Sequence, residues 1–320
     1  MDLARPSQFV KMQAEKAETV AKPRTASAEA RSWRARAKIN LYLHITGRRA
    51  DGYHCLDSLV VFADIGDEIE VGVCDGLRLD IDGPFAPGLL ADETNLVWQA
   101  ATALATAAGV EARANIRLYK YLPVAAGLGG GSADAAATLL ALRALWHLPM
   151  DNGALLDLAA GLGADVPVCL SARPSLMTGI GHDVMPAPPL PPFALVLVNP
   201  MQTLSTAAVF KQVKHPFKPS QPWLEKPGRS RDMAQSLNLR RNDLEPAARY
   251  LAPVISEVII ALENLPDCRL ARMSGSGATC FALFDDLAKA EAAAKILRGR
   301  RTDWWVQASA IVGATEGFEQ

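Results

Sequence analysis

Between Leu122 and Trp146 the chain reads Leu-Pro-Val-Ala-Ala-Gly-Leu-Gly-Gly-Gly-Ser-Ala-Asp and then runs into an Ala/Leu-rich stretch. Four glycines, Gly127, Gly129, Gly130 and Gly131, stand directly before Ala135, Leu139, Leu142 and Trp146, which recur at the spacing of one helix face. Glycine permits positive φ and lets a ligand come close to the backbone. The first turn of a helix offers N–H groups without intrahelical partners and the positive end of the helix dipole. A glycine-rich loop feeding a helix is therefore a cradle for phosphate. Pro123 stiffens its entrance, and Ser132, a favoured capping type, marks the predicted start of the helix. The bland alternative, a flexible loop ahead of a core helix, uses the same residues.

Three other glycine motifs are excluded by single residues. A P-loop ends Gly-Lys-Ser/Thr, whereas Gly131 is followed directly by Ser132. A Rossmann fingerprint needs a glycine where Ser132 stands. A nucleophile elbow needs one where Asp134 stands.

The 320 residues allow two domains of ordinary size. A net charge of −1 implies no general attraction to nucleic acid or membrane, and no apolar run is long enough to span a bilayer. Cys55, Cys74, Cys169, Cys268 and Cys280 form no C-x-x-C pair, which fits reduced thiols in a cytoplasmic protein better than a disulfide frame or zinc site. Residues 1–33 are Ala/Lys/Glu/Arg-rich, lack the apolar stretch of a secretion signal, and read as a disordered extension.

From Arg34 the pattern becomes that of a folded chain. Strands are predicted at 35–45, at 55–73 with a break near 63–67, at 77–81 and at 114–121. A helix over 95–108 ends at Gly109. A second helix follows the glycine loop, a third covers about 152–160, and Asp165 sits in a turn before an apolar stretch. The prolines of 186–192 read as a linker to a second unit. That unit contains a strand at 193–198, a proline-rich mobile loop over 211–231, helices from Asn242 to Leu265, and a strand at 268–272. A second glycine-rich turn, Met273-Ser-Gly-Ser-Gly-Ala-Thr, precedes a further strand, a helix at 287–297 and a final strand at 304–312. The order strand, helix, strand, strand, helix, strand is that of a ferredoxin-like unit.

The histidines show no H-x-x-x-H or H-E-x-x-H spacing, which argues against a histidine metal site. Tyr53-His54 leaves a glycine turn, where an aromatic face beside a hydrogen-bonding ring can hold a planar heterocycle; a half-exposed strand histidine is the plain alternative. Lys38, the only lysine of its strand, either snorkels to the edge or meets an anion. Phosphate loop, lone lysine and half-buried carboxylate are together the parts of phosphoryl transfer, which needs positioning, charge neutralisation and a proton acceptor.

The loop 123–133, the segment 273–281 and the Lys38/Asp165 pair resemble those of the GHMP kinases, from about Ala35 to the C-terminus. Ala37-Lys-Ile-Asn-Leu, Arg49-Ala-Asp-Gly-Tyr-His, Gly163-Ala-Asp-Val-Pro-Val and Asn242-Asp-Leu-Glu are most similar to members acting on a CDP-linked methylerythritol in non-mevalonate isoprenoid synthesis. The resemblance implies phosphorylation of the 2-hydroxyl of that small molecule, with ATP as co-substrate and Mg²⁺. It implies an ATP loop of Pro123, Val124, Ala125, Ala126, Gly127, Leu128, Gly129, Gly130, Gly131, Ser132 and Ala133, and catalytic roles for Lys38 and Asp165. Asn40 would meet the sugar side of the acceptor, and Tyr53, His54 and Phe210 its cytosine. Ser132 is a candidate for a phosphate or Mg²⁺ contact, and the metal ligands are otherwise open. The fold implied is α+β: a domain like ribosomal protein S5 domain 2 over 34–190 and a ferredoxin-like domain over 191–320. A monomer or weak homodimer is expected. The family loop usually reads Pro-x-Gly-Gly-Gly-Leu-Gly-Gly-Gly-Ser-Ser; here Ala125, Ala126 and Ala133 depart from it. Rival readings are a mevalonate- or homoserine-type kinase, which has no nucleobase to hold, and a non-catalytic nucleotide-binding protein.

Overall fold

The computed structural model describes residues 32–213 and 216–313. The expected N-terminal extension therefore lies outside the described residues, except for Ser32 and Trp33, which open the first strand. Strand β1 (Ser32–Arg48) pairs antiparallel with β2 (His54–Gly72) through a tight turn at Asp51–Gly52. The break expected near 63–67 does not occur. Gly66 lies so close to β1 that an added Cβ would sit 2.1 Å from the Ala35 carbonyl oxygen, and the register shifts between Arg36 and Lys38 instead. A residue pattern that reads as a turn is thus a bulge within a continuous strand.

Strands β3 (Leu77–Asp82), β4 (Ala114–Tyr119), β5 (Ser175–Gly179) and β6 (Asp183–Pro186) complete the first sheet, ordered β3-β4-β2-β5-β6 with β1 on β2. Among the described strands of this sheet only the β3–β4 pair is parallel, and its crossover carries α1 (Leu96–Ala108). Asn95 caps α1 by accepting from the Val97 N–H, and Gly109 ends it in the left-handed region. Helices α2 (Gly130–Leu145), α3 (Asn152–Leu162) and α4 (Val166–Ser171) join α1 over one face, around a core that includes Leu104, Ile116, Leu139, Leu142 and Val168.

The opposite face of β1 and β2 presents Ala37, Ile39, Leu41, Leu59 and Val61 to the second sheet. That sheet is β7 (Ala194–Asn199), β8 (Leu270–Met273), β9 (Cys280–Phe284) and β10 (Trp305–Ala310), antiparallel throughout in the order β10-β7-β9-β8. Leu195, Leu197, Phe281, Leu283 and Trp305 fill the shared layer. At about 1.5–3 kcal/mol per fully buried large apolar side chain, this layer holds the two sheets together. Its polar edge is closed by Leu43 N–H to Arg241 O at 3.1 Å and Val312 N–H to Phe62 O at 2.9 Å.

Around the second sheet lie α5 (Thr206–Lys211), α6 (Ser230–Asn238), α7 (Glu245–Leu251), α8 (Val254–Glu263) and α9 (Leu287–Arg300). The topology is the ferredoxin-like one expected. The mobile loop expected over 211–231 is corrected. Its prolines do keep residues 216–229 out of regular structure, but Trp223 is fully buried, and Ser220 and Gln221 bond to a buried carboxylate.

Candidate active site

The glycine loop, β1, the β1–β2 turn and α5 enclose a cleft of about 1100 Å³, lined among others by Lys38, Asn40, Tyr53, His54, Asp165 and Phe210. The loop sits on β1 through Lys38 N–H to Leu128 O at 2.8 Å. Gly127 and Gly129 have φ of +74° and +63°, a region that strains any residue with a Cβ. The sequence expectation that Ser132 starts the helix is corrected: the helix begins at Gly130, Gly129 is its N-cap, and no side chain caps it. Because the loop ends in a left-handed glycine, the helix starts two residues early and Ser132 lies in its first turn. The leading N–H groups of that helix are offered to a ligand rather than to a cap.

The second glycine turn is part of the same cradle. Ser274 Oγ donates to Gly127 O at 3.1 Å, and Thr279 N–H donates to Ala126 O at 3.1 Å. An added Cβ at Gly127 would stand 2.6 Å from Ser274 O. Asn40 N–H bonds Ser274 Oγ at 3.2 Å, and its side-chain amide donates to Ser58 Oγ at 2.8 Å, which fixes its place in the cleft. Ala125, one of the departures from the family loop, has φ of +52°. It takes a glycine conformation without being glycine, as the family pattern would lead one to expect at that position.

Lys38 Nζ lies 2.9 Å from Asp165 Oδ2, with the lysine side chain nearly buried and the carboxylate 39 % exposed. Asp165 does flank a helix, at the N-cap of α4, yet its side chain makes no cap bond. It is turned to Lys38 instead. An ammonium and a carboxylate so placed, one shielded and one open to the cleft, can share a proton-accepting and charge-stabilising task. Cys169, one helical turn beyond Asp165, is buried, and burial pushes its thiol well above the usual range, so it takes no nucleophilic part.

Also lining the cleft, the Asp51–Gly52 turn delivers Tyr53 to the surface, 63 % exposed. Tyr53 N–H bonds Asp51 Oδ1 at 3.1 Å, and Arg49 N–H bonds Tyr53 O at 2.8 Å. The rings of His54 and Phe210 lie 5.2 Å apart, tilted by 31°. Phe210 is held on α5, which Ser205 caps and which Thr206 ties to Ser276 through hydroxyls 2.8 Å apart. Phe217, which sequence reading did not single out, meets His54 edge to face at 5.9 Å. It lies in the irregular segment, where no periodicity marks a residue as inward-facing.

A buried ionic cluster beneath the loop was also missed. Lys120 Nζ lies 2.5 Å from Asp67 Oδ2 and 2.6 Å from Asp134 Oδ2. Asp67 Oδ1 accepts from the Tyr121 and Leu122 N–H groups at 2.6 and 2.8 Å. The cluster thus binds the loop's entrance to Asp134, just past the first turn of α2. Asp134 Oδ1 has no partner. Burial first, then Asp67, raises the Asp134 carboxyl to about 8 against the opposing pull of Lys120. For Lys120 burial works downward, but the two carboxylates outweigh it and the ammonium stays charged. The signals were available in the sequence: a lone lysine just after β4 and an aspartate two residues after Ser132.

Among the described residues no group of three or more His, Cys, Asp or Glu side chains could hold a metal ion. No helix among them is long and apolar enough to cross a membrane.

Sequence comparison agrees with this geometry. Residues 95–173 match the profile of the GHMP kinases N terminal domain, and residues 226–300 that of the GHMP kinases C terminal. The chain is 49 % identical over 279 residues, 87 % of its length and 92 % of the relative's, to the 4-diphosphocytidyl-2-C-methyl-D-erythritol kinase of Rhodospirillum rubrum. It is 50 % identical over 272 residues, 85 % of this chain and 95 % of the relative, to that of Paramagnetospirillum magneticum. A crystal structure of 4-(cytidine 5'-diphospho)-2C-methyl-D-erythritol kinase superposes with a TM-score of 0.72 at 34 % identity, over 88 % of this chain and 100 % of the other. A homoserine kinase from Cytophaga hutchinsonii, 19 % identical with a TM-score of 0.66 over 91 % and 98 % of the two chains, shares the fold. The glycine loop, the Lys38–Asp165 pair and these relatives over most of the chain lead to one conclusion: the protein belongs to the GHMP kinase family.

Proposed function

We propose that this chain transfers the γ-phosphoryl group of ATP to the 2-hydroxyl of 4-diphosphocytidyl-2-C-methyl-D-erythritol. The observation that carries the reading is that a single cleft is lined both by the glycine loop with the Lys38–Asp165 pair and by Tyr53, His54 and Phe210. A mevalonate- or homoserine-type acceptor has no ring to meet these aromatic residues.

The loop from Pro123 to Ala133 and the first turn of α2 cradle the ATP phosphates with backbone N–H groups. Asn40 positions the sugar side of the acceptor. The acceptor oxygen forms the new O–P bond as the bond from the γ-phosphorus to the bridging oxygen breaks and ADP leaves. Asp165 takes the hydroxyl proton, and Lys38, its neighbour at 2.9 Å, stabilises the negative charge that develops. Mg²⁺ asks for only one or two protein oxygens beside substrate phosphates and neutralises phosphate charge when bound. The Ser132 hydroxyl, partly exposed in the first turn of the helix that follows the loop, fits that demand. The five free thiols support a reducing, cytoplasmic setting. A monomer or weak homodimer, without nucleic acid, fits the near-neutral charge. We assign 32–190, the bounds extended to the start of β1, to the domain that binds ATP and the described residues of 191–313 to its partner domain.

An ADP-release assay offering 4-diphosphocytidyl-2-C-methyl-D-erythritol, mevalonate and homoserine in parallel tests the reading. Turnover of the first alone is expected. Turnover of either of the others instead overturns the acceptor assignment, and turnover of none overturns the kinase assignment.

A further inference from the structure

Asp57 is a carboxylate without exposed surface that takes no part in the chemistry above. A carboxylate withdrawn from water persists only where its oxygens are supplied with donors. Here Tyr42 Oη donates to Oδ1 at 2.8 Å, while Ser220 Oγ and the Gln221 N–H donate to Oδ2 at 2.8 and 2.6 Å. Two of these three donors belong to the irregular segment 216–229. The same segment is weighted down beyond that point by the fully buried Trp223. Arg240 stacks over Trp223 at 5.3 Å and over Tyr42 at 4.7 Å, and donates to the carbonyl of Gln221.

The register of these contacts matters. His54 and Asp57 are three residues apart at the start of β2; Phe217 and Ser220 are three apart in the segment. Phe217 meets the His54 ring edge to face, and Ser220 meets Asp57. The segment is therefore fastened to β2 at two points, one aromatic and one hydrogen-bonded. Phe217 is not among the residues lining the cleft, but His54 is. Phe217 thus backs the histidine from outside, while Phe210 meets it at 5.2 Å on the cleft side. An imidazole ring in contact with two aromatic rings at once, one tilted and one edge-on, is restricted in orientation, and that orientation decides which edge it shows to a base.

We propose that Asp57 clasps the segment 216–229 to β2 so that Phe217 fixes the His54 ring for recognition of the acceptor's pyrimidine; both are positioning residues for acceptor specificity. The inference rests on the acceptor assignment made above. It explains why a charge is kept at a buried position next to, and not within, the cleft. Asp57 reaches the acceptor only through the segment and the ring it carries.

The test compares Phe217→Ala, Phe217→Tyr, Asp57→Asn and Ser220→Ala with the unaltered enzyme by steady-state kinetics in both substrates. Phe217→Ala is expected to raise KM for the CDP-linked acceptor about two- to twelve-fold, the equivalent of the ~0.5–1.5 kcal/mol of an aromatic pair. KM for ATP and kcat should stay within about twofold, which a general loss of folding would not allow. Phe217→Tyr, which keeps the ring, should restore the acceptor KM. Asp57→Asn should raise it in the same direction; should that variant fail to fold, Ser220→Ala removes one strap donor at the surface and carries the test. An unchanged acceptor KM in Phe217→Ala, or changes in acceptor and ATP constants in step, overturns the clasp. Failure of the unaltered enzyme to use the CDP-linked acceptor overturns the acceptor assignment instead, so the two failures are told apart.

Discussion

Gly129 is the position where loop, lysine and chemistry meet, and Gly129→Ala tests their coupling. Its φ of +63° makes alanine there unfavourable by about 1–2 kcal/mol. The added Cβ would also lie 3.2 Å from both Cβ and Cε of Lys38, inside the ~3.5–4.0 Å of an ordinary carbon contact. Lys38 Cβ cannot retreat, because the lysine backbone is fastened to Leu128 O at 2.8 Å. The side chain must give further out, by a few tenths of an ångström, and this draws Nζ from its 2.9 Å contact with Asp165. A misplacement of about 1 Å can lower a rate about 10²-fold, so a shift of this size is expected to lower kcat about tenfold. Gly131→Ala is the control. Gly131 is not at positive φ, and its Cβ would meet only Leu96 Cδ1 at an ordinary 3.6 Å. Near a helix start alanine gains up to ~1 kcal/mol, so any loss of function there reports backbone approach by phosphate alone. Steady-state kinetics at saturating ATP and thermal melts of both variants read these effects separately. If Gly129→Ala raised KM for ATP and left kcat untouched, the loop would serve phosphate only, and the argument through Lys38 would be refuted.

Asp165→Asn keeps the side chain's size but takes no proton: kcat is expected to fall about 10²–10⁴-fold with ATP affinity kept by calorimetry, and near-normal turnover would remove Asp165 from the base role. Tyr53→Ala should raise KM for the CDP-linked acceptor roughly 5- to 150-fold, from ~1–3 kcal/mol of base stacking, while KM for ATP hardly moves; equal effects on both would make Tyr53 structural. The Asp134 carboxyl titrates near 8 in the fold, above its unfolded value, so the native state holds a proton that the unfolded chain releases between about pH 4 and pH 8. Raising pH through that window should therefore cost stability, at up to ~1.4 kcal/mol per pH unit, and Asp134→Asn should lose this slope in melts from pH 5 to pH 9; parallel slopes would place the proton elsewhere.

Much of the fold was legible because its signals are local. The alternation in β1 and β4, the Asn95 and Gly109 caps of α1 and the strand order of the second unit are all read within a dozen residues. Lys38 and Asp165 were each marked by being out of place, a lone charge in an apolar strand and a carboxylate between helix and apolar run. The misreadings share a cause. Gly66 looked like a turn because glycine and aspartate neighbours usually make one, and only the close approach of Ala35 explains why the strand continues. Ser132 looked like a cap because sequence does not show that Gly129 has already turned the chain. The 211–231 segment looked mobile because prolines forbid regular pairing, while what fixes it, Asp57 and the pocket around Trp223, lies far away in sequence.

The ionic cluster answers a difficulty that glycines alone create. A loop rich in glycine has more conformational freedom to lose than any other, about 1–2 kcal/mol per residue fixed, and if ATP had to order it, binding would carry that loss. In this fold the ordering is done beforehand, at several points. Asp67 holds the backbone at Tyr121 and Leu122, and Lys120 joins Asp67 to Asp134 beyond the loop's far end. Ser274 and Thr279 hold Gly127 and Ala126, and Lys38 N–H holds Leu128. The anchors come from widely separated parts of the chain: β1, β2, Lys120 just after β4, α2 and the second glycine turn. The loop can therefore keep glycine where a ligand or a neighbour must come close and still be rigid before any ligand arrives. The strain at Ala125, with its φ of +52°, is bearable for the same reason. A loop over-determined at its ends and middle can impose a left-handed turn on a residue that would not choose it.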